Sequence, residues 1–482
     1  MNLVNRRLPV LALALVALAA LVVVARTTPP AATATYAVER VGWMPAAGSG
    51  AELTDTWFCP GVPATADDDV GGEIVLGNRS DRPLTARIAW LGEPGASIDE
   101  TVTVEPFSRV VLDAGSRLTA SFVGAVVEFD GGDGIAEQRA IHPAGRPVVA
   151  CATETSPNWY LAEGFTVGGS LNNLILTNPF DDAAIVNIAF ATDDGARVPN
   201  LYQGIPVPPR SVRVIDLGAP GAGAQGEDRL AVRVESTRGQ VVVARAQHFL
   251  AGGRLGYALA LAAPALRDQW WFADGLKGAG VSERFSIYNP TDTSVEVDAI
   301  FLGVDAIADV EPIEVPARQV VVFDPGLVAT LPEGRHATVF STRSDPSIVV
   351  ERVLTRTDDG RPVSSVLLGA TPAPVGEPVA GTWHLVAGPE TAATEALVVF
   401  NPDNAPGTIT VSSVGPDGIV AVPGLEEIEI GAAAIATIDL VADAAIGREL
   451  IVTSTGRIFV ERSLPSGLGE GRTSSWLVPA GP

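Results

Sequence analysis

Trp159-Tyr160-Leu161-Ala162-Glu163-Gly164 is matched 111 residues later by Trp270-Trp271-Phe272-Ala273-Asp274-Gly275. Two such hexapeptides one small domain apart mark an internal repeat. Looser copies flank them, Trp57-Phe58-Cys59 and Trp383-His384-Leu385, so the motif occurs four times at steps of 102, 111 and 113 residues. The outer copies depart from it, with Pro60-Gly61 and Val386-Ala387-Gly388 where the acidic residue would stand.

Three further landmarks keep this frame. An apolar run ends in Asn, usually before Pro: Asn78, Asn178, Asn289 and Asn401. An apolar strand then ends in Asp113, Asp216, Asp324 and Asp439, and a β-branched strand carries Arg139, Arg245, Arg352 and Arg462. Between landmarks the pattern has period two, as in Ser211-Val212-Arg213-Val214-Ile215-Asp216, and turn pairs such as Asp194-Gly195 and Asp417-Gly418 separate the runs. That is the signature of half-buried strands joined by hairpins. The expected fold is all-β: four tandem β-sandwich domains of immunoglobulin-like size, with about seven or eight strands each, behind one N-terminal apolar helix. The boundaries are 1–35 for the leader and linker, then 36–158, 159–269, 270–382 and 383–482. A propeller is disfavoured, because its blades need only about 40 to 50 residues. In this reading the four tryptophans fill the cores, and each recurrent Arg pairs with an acid of its own repeat, since an unpaired charge on a buried strand is costly.

The opening motif and its downstream Asn-Pro resemble repeats of secreted actinobacterial proteins, and the chain from about 36 to 482 is similar to the envelope family called domain of unknown function 5719. The resemblance implies an exported, mostly β protein with no established activity and no catalytic residues to carry over.

Composition narrows the function. The 56 acidic against 32 basic residues give a net charge of −24, which repels nucleic acid. Lys277 is the only lysine in a chain rich in Ala, Gly, Pro and Val, the bias of a high-GC genome such as an actinobacterial one. Arg6 and Arg7 precede an uncharged stretch at 8–25, whose 18 residues would span about 27 Å as a helix, close to a bilayer core of about 30 Å. The arginines would stay inside and send the rest outward. An uncleaved membrane anchor is the favoured reading, and a signal peptide cut near Ala32-Thr33-Ala34 the alternative. Cys59 and Cys151, the only cysteines, open and close the first repeat. Outside the membrane they should form a disulfide, with two buried thiols as the alternative.

Chemistry is sparse. His142, His248, His336 and His384 are expected in different sandwiches, so neither a metal site nor a catalytic triad is expected. Gly221-Ala222-Gly223-Ala224-Gln225-Gly226 fits a dinucleotide fingerprint by letters, but a strand pattern follows where a helix is required. No cofactor is expected. Asp67, Asp68 and Asp69, with Asp130 and Asp133, are weak calcium candidates whose default reading is solvated turn acids. The leading expectation is a non-catalytic structural or interaction protein of the cell envelope, with envelope proteins or wall polysaccharide as partners. The alternative is a carbohydrate-binding protein using Trp43, Trp90 and Tyr202.

Overall fold

A computed structural model describes residues 44–481, apart from 49–52, 68, 305–307, 309, 344–346, 372–380 and 470. The apolar stretch 8–25, the site at 32–34 and Trp43 lie outside the described residues, among which no helix is long and apolar enough to cross a membrane.

The first repeat shows how the chain is built. Its strands are β1 (Asp55–Ala64), β2 (Gly71–Asn78), β3 (Leu84–Leu91), β4 (Ser97–Val104), β5 (Ser108–Asp113), β6 (Ala120–Phe129), β7 (Gly134–Ile141) and β8 (Val148–Ala150). They form two antiparallel sheets, ordered β1-β6-β3-β4 and β8-β7-β2-β5, so the chain changes sheet repeatedly. The later stretches do the same, which makes eight sheets. The last strands, Val148–Ala150, Gly256–Leu261, Arg361–Leu368 and Arg472–Trp476, approach one another around a common axis. Each sheet packs one face on its partner from the same repeat and the other on a neighbouring repeat. Residues 41–482 form one compact unit.

The architecture is an eight-bladed β-propeller, which corrects the expectation of four tandem β-sandwiches. All-β was right; the arrangement of the sheets was not. The repeat of 102 to 113 residues holds two blades of about 50 residues each, close to the blade length that had counted against a propeller. Because the chain alternates between the two blades, no sequence repeat of single-blade length exists. The period-two pattern belongs to half-wet strands, the edge strand Ser211–Asp216 and the doubly paired Ala231–Arg238. The inner strands differ. Val242–Phe249 is buried at every position but His248, and Gly256–Leu261 throughout. Strands covered on both faces lose alternation and become continuous apolar runs.

Trp57, Trp159, Trp270 and Trp383 are all essentially inaccessible on the first strand of each repeat. The indole Nε1 of Trp159, Trp270 and Trp383 donates to the carbonyls of Val241, Ile348 and Ile458, each at 2.9 Å. This ties the first blade of a repeat to the second. The buried Asn landmarks tie it again: Asn178 Nδ2 donates to the carbonyls of Asp182, Val207 and Pro208 while its Oδ1 accepts from Phe180 N. Asn78 and Asn289 make the same set, and Asn401 Nδ2 reaches Ala405 and Gly431. A buried amide thereby satisfies carbonyls that the crossing between blades would leave unpaired.

A lone repeat would expose one face of each blade. Residues 159–269 expressed alone should therefore show no cooperative thermal transition by circular dichroism, whereas the full chain should unfold cooperatively.

Candidate functional site: the clasps between repeats

Glu351 and Glu461 each stand immediately before a landmark Arg, on a strand paired on both sides, and their carboxylates are fully buried. Each points out of its own repeat. Arg245 of the second repeat donates to both oxygens of Glu351, at 3.2 and 2.9 Å, and the backbone N–H groups of Ala162 and Glu163 donate at 2.6 and 2.7 Å. Arg352 grips Glu461 of the fourth repeat in the same way, with Ala273 N at 2.6 Å and Asp274 N at 3.1 Å. Arg462 then grips Glu137 of the first repeat, joined by Ala387 N at 2.7 Å. The opening motif is thus a socket for the carboxylate of the following repeat. Its acidic residue is held as well: Glu163 pairs with Arg254 of its own repeat at 2.7 Å and accepts from Ser286 of the next, and Asp274 pairs with Arg335 and Arg356 within its own repeat.

Two expectations change here. Arg245, Arg352 and Arg462 pair across repeats, not within them, whereas Arg139 does pair with an acid of its own repeat, Glu73. Arg139 is also one residue out of frame: counting four back from each Asn landmark along the paired strands, Leu174, Phe285 and Leu397 face Arg245, Arg352 and Arg462, whereas Ile74 faces Gln138. Arg139 instead bonds Glu73 and, at 2.7 Å, Glu390 of the fourth repeat. The Glu-Arg step was legible at Glu351-Arg352 and Glu461-Arg462, and at Glu137 once Gln138 is placed in frame.

The junction of repeats one and two departs from the other three. Gln138 replaces the arginine, Ala244 the glutamate, and Pro60, which has no N–H, opens the socket. Gln138 Oε1 accepts from Gly61 N at 3.2 Å within the first repeat, and Thr177 Oγ1 donates to the Pro60 carbonyl across the junction. The Cys59–Cys151 disulfide closes the first repeat beside it.

The junction of repeats four and one buries more ionisable groups. Glu449 is completely enclosed, with no hydrogen-bond partner for either oxygen among the described residues, and one oxygen occupies the space a side chain on Gly77 would need. Burial pushes its pKa up to about 8, with repulsion from Glu137 adding to this and Arg79 and Arg109 opposing it. Arg79 Nη1 lies 3.1 Å from His384 Nε2, and burial, then Arg79, hold that imidazole well below its usual range.

The remaining candidates have structural places. Asp113, Asp216 and Asp324 accept from backbone N–H groups of the turns that follow them, and Asp439 from Glu395 N. Asp67 Oδ1 accepts from Asp69 N, and Asp133 lies 3.9 Å from Arg82. Asp68 lies outside the described residues, and no group of three or more metal-ligating side chains converges among the described ones. Trp90 is buried, donating to Glu100 at 2.9 Å, and Tyr202 is buried against Phe190. Neither can stack on a sugar. His142 and His248, expected apart, meet with ring centroids 4.6 Å apart. Gly221–Gly226 is a loop. Along the axis, Val149, Leu259, Leu261, Leu367 and Trp476 line a cavity of about 40 Å³, with Met44 and Pro45 at its wall. That is room for a few waters, not a metabolite.

Residues 142–377 match the family described as Family of unknown function (DUF5719). No curated protein matches the chain. A solved structure titled Crystal Structure of Thermotoga maritima 1070 is 14% identical, covering 22% of this chain and 96% of its own at a TM-score of 0.21. A tetra-tandem repeat from the extending region of a large adhesion protein is 12% identical, covering 89% of this chain and 100% of its own at 0.12. Neither likeness is strong enough to carry an argument.

Removing Glu351 would strand a buried guanidinium and two N–H groups. Glu351→Ala should cost about 3 to 5 kcal/mol in urea unfolding, whereas Glu73→Ala, at a partly wetted pair, should cost about 1 kcal/mol or less. Glu449 is protonated in the fold up to about pH 8 but only up to about 4.5 when unfolded. Its contribution is therefore full below pH 4.5 and lost as pH rises to about 8, a deficit of about 3 kcal/mol at pH 7. Glu449→Gln should shrink the difference in urea midpoint between pH 5 and pH 8.

Proposed function

Over residues 142–377 this chain belongs to a family of unknown function, and from that premise we propose that it is a non-catalytic structural or interaction protein of the bacterial envelope, presenting a closed ring to other envelope proteins. One observation carries this reading. The residues that recur through the chain are consumed in holding the ring: tryptophans in the core, asparagines between paired blades, and three of the four recurrent arginines on the glutamates of the next repeat. What varies between copies is outer-strand and loop surface, the part a partner would meet.

The disulfide supports an oxidising compartment, as does the apolar stretch at 8–25 behind Arg6 and Arg7. The small axial cavity supports a docking surface over a small-molecule site. With Trp90 and Tyr202 buried, no observation favours recognition of wall polysaccharide over recognition of protein.

The test is recovery of the full chain from cross-linked native envelope. The same protein partner should co-purify in replicates and be lost when outer-strand loops are exchanged between repeats. Recovery of no specific partner would sink the docking reading.

A further inference from the structure

Three of the four junctions carry a buried Arg–Glu clasp, and the one between repeats one and two carries a pair of histidines. His142 lies in the turn after Gly134–Ile141, and His248 on Val242–Phe249 of the next repeat. Their rings meet edge to face at 4.6 Å, and His142 also stacks on Tyr257 of repeat two at 4.4 Å and 13°.

The geometry fixes the protonation state of His142. Its Nδ1 accepts from Ala144 N at 3.0 Å, so that nitrogen carries no proton. The turn so held also places the Ala144 carbonyl 3.0 Å from Tyr257 N and seats Gly145 on the Tyr257 backbone, where a side chain would stand 2.8 Å from its carbonyl. A proton on Nδ1 would set two donors face to face. The turn would lose its lock and the junction one of its backbone bonds. The same arrangement argues against a metal, since Nδ1 is occupied and a ligand on Nε2 would require the proton that Ala144 forbids.

We propose that the junction of repeats one and two is an acid-released latch, in which protonation of His142 frees the Ile141–Gly145 turn from Tyr257 and loosens the ring at the one junction without a buried Arg–Glu clasp, where the ion pair Arg210–Asp99 lies at the surface. The groups facing His142 are His248 and Tyr257 from the second repeat and Asp67 from the turn before Gly71–Asn78. Burial, and then His248, push its pKa down to about 4, with Asp67 opposing; burial alone lowers His248. A depressed histidine contributes stability that is complete above its unfolded value of about 6.5 and is lost as pH falls toward 4. That window opens before most carboxylates protonate, so the clasps at Glu351 and Glu461 hold while this junction yields; the junction of repeats four and one carries a depressed histidine of its own, His384, and is no acid-insensitive reference.

The test is hydrogen exchange of the full chain, disulfide intact, from pH 7 to pH 4.5, corrected for intrinsic exchange. Opening at the Tyr257 and Gly145 amides should rise at least tenfold, while Ala162 and Ala273 at the clasps stay protected. His142→Asn should abolish the rise, because an amide oxygen accepts from the residue two places on at any pH. Unchanged protection at Tyr257, an equal rise at all four junctions, or an unaltered rise in His142→Asn would overturn the proposal. Should that variant not fold, the wild type decides: the midpoint of opening must coincide with titration of His142 followed by NMR, and a mismatch overturns it.

Discussion

A carboxylate taken fully out of water must be met by donors on nearly every side, and at Glu351, Glu461 and Glu137 those donors come from a different repeat. The ring depends on this constraint. Apolar packing between blade faces is strong but nondirectional, and would tolerate sliding or a different number of units. A guanidinium and backbone N–H groups converging on one carboxylate tolerate neither, because a displaced register leaves buried charge uncompensated. The clasps therefore fix which repeat follows which and hold the angle at which the circle closes.

The first repeat has lost its guanidinium, its neighbour has lost the carboxylate, and proline has removed a socket N–H. Losing one of these alone would leave a buried charge or socket N–H unpaired; losing all three leaves no buried charge uncompensated, and of the replacing side chain only Gln138 Nε2 stays without a partner among the described residues. The ring is in this sense a chain of four with three strong couplings and one weak one, and the disulfide stiffens a unit on the weak side.

The sequence displayed the units but not their assembly. Trp159 and Trp270, with Asn178 and Asn289, set the repeat frame because a large indole and a fully bonded amide each need one exact place. The two-blade content of a repeat was hidden by alternation between sheets. The clasp was half visible: a buried Arg demands an acid, and Glu351 and Glu461 sit beside the recurrent arginines, but adjacent residues on a strand point to opposite faces and cannot pair with each other. That rule sends each carboxylate to a neighbour. Matching Arg139 to Arg245 by letter instead of by strand register concealed the exceptional junction.

The two ends of the described chain lie side by side. Ala47 pairs with Ala480 in parallel, through Ala47 N to Pro479 O at 2.8 Å and Gly481 N to Ala47 O at 2.7 Å. Parallel neighbours drawn apart by their opposite ends are loaded in shear, so both hydrogen bonds must break together instead of one after the other. Tension applied between the two ends would thus meet this bridge in its most resistant geometry before it reached any blade.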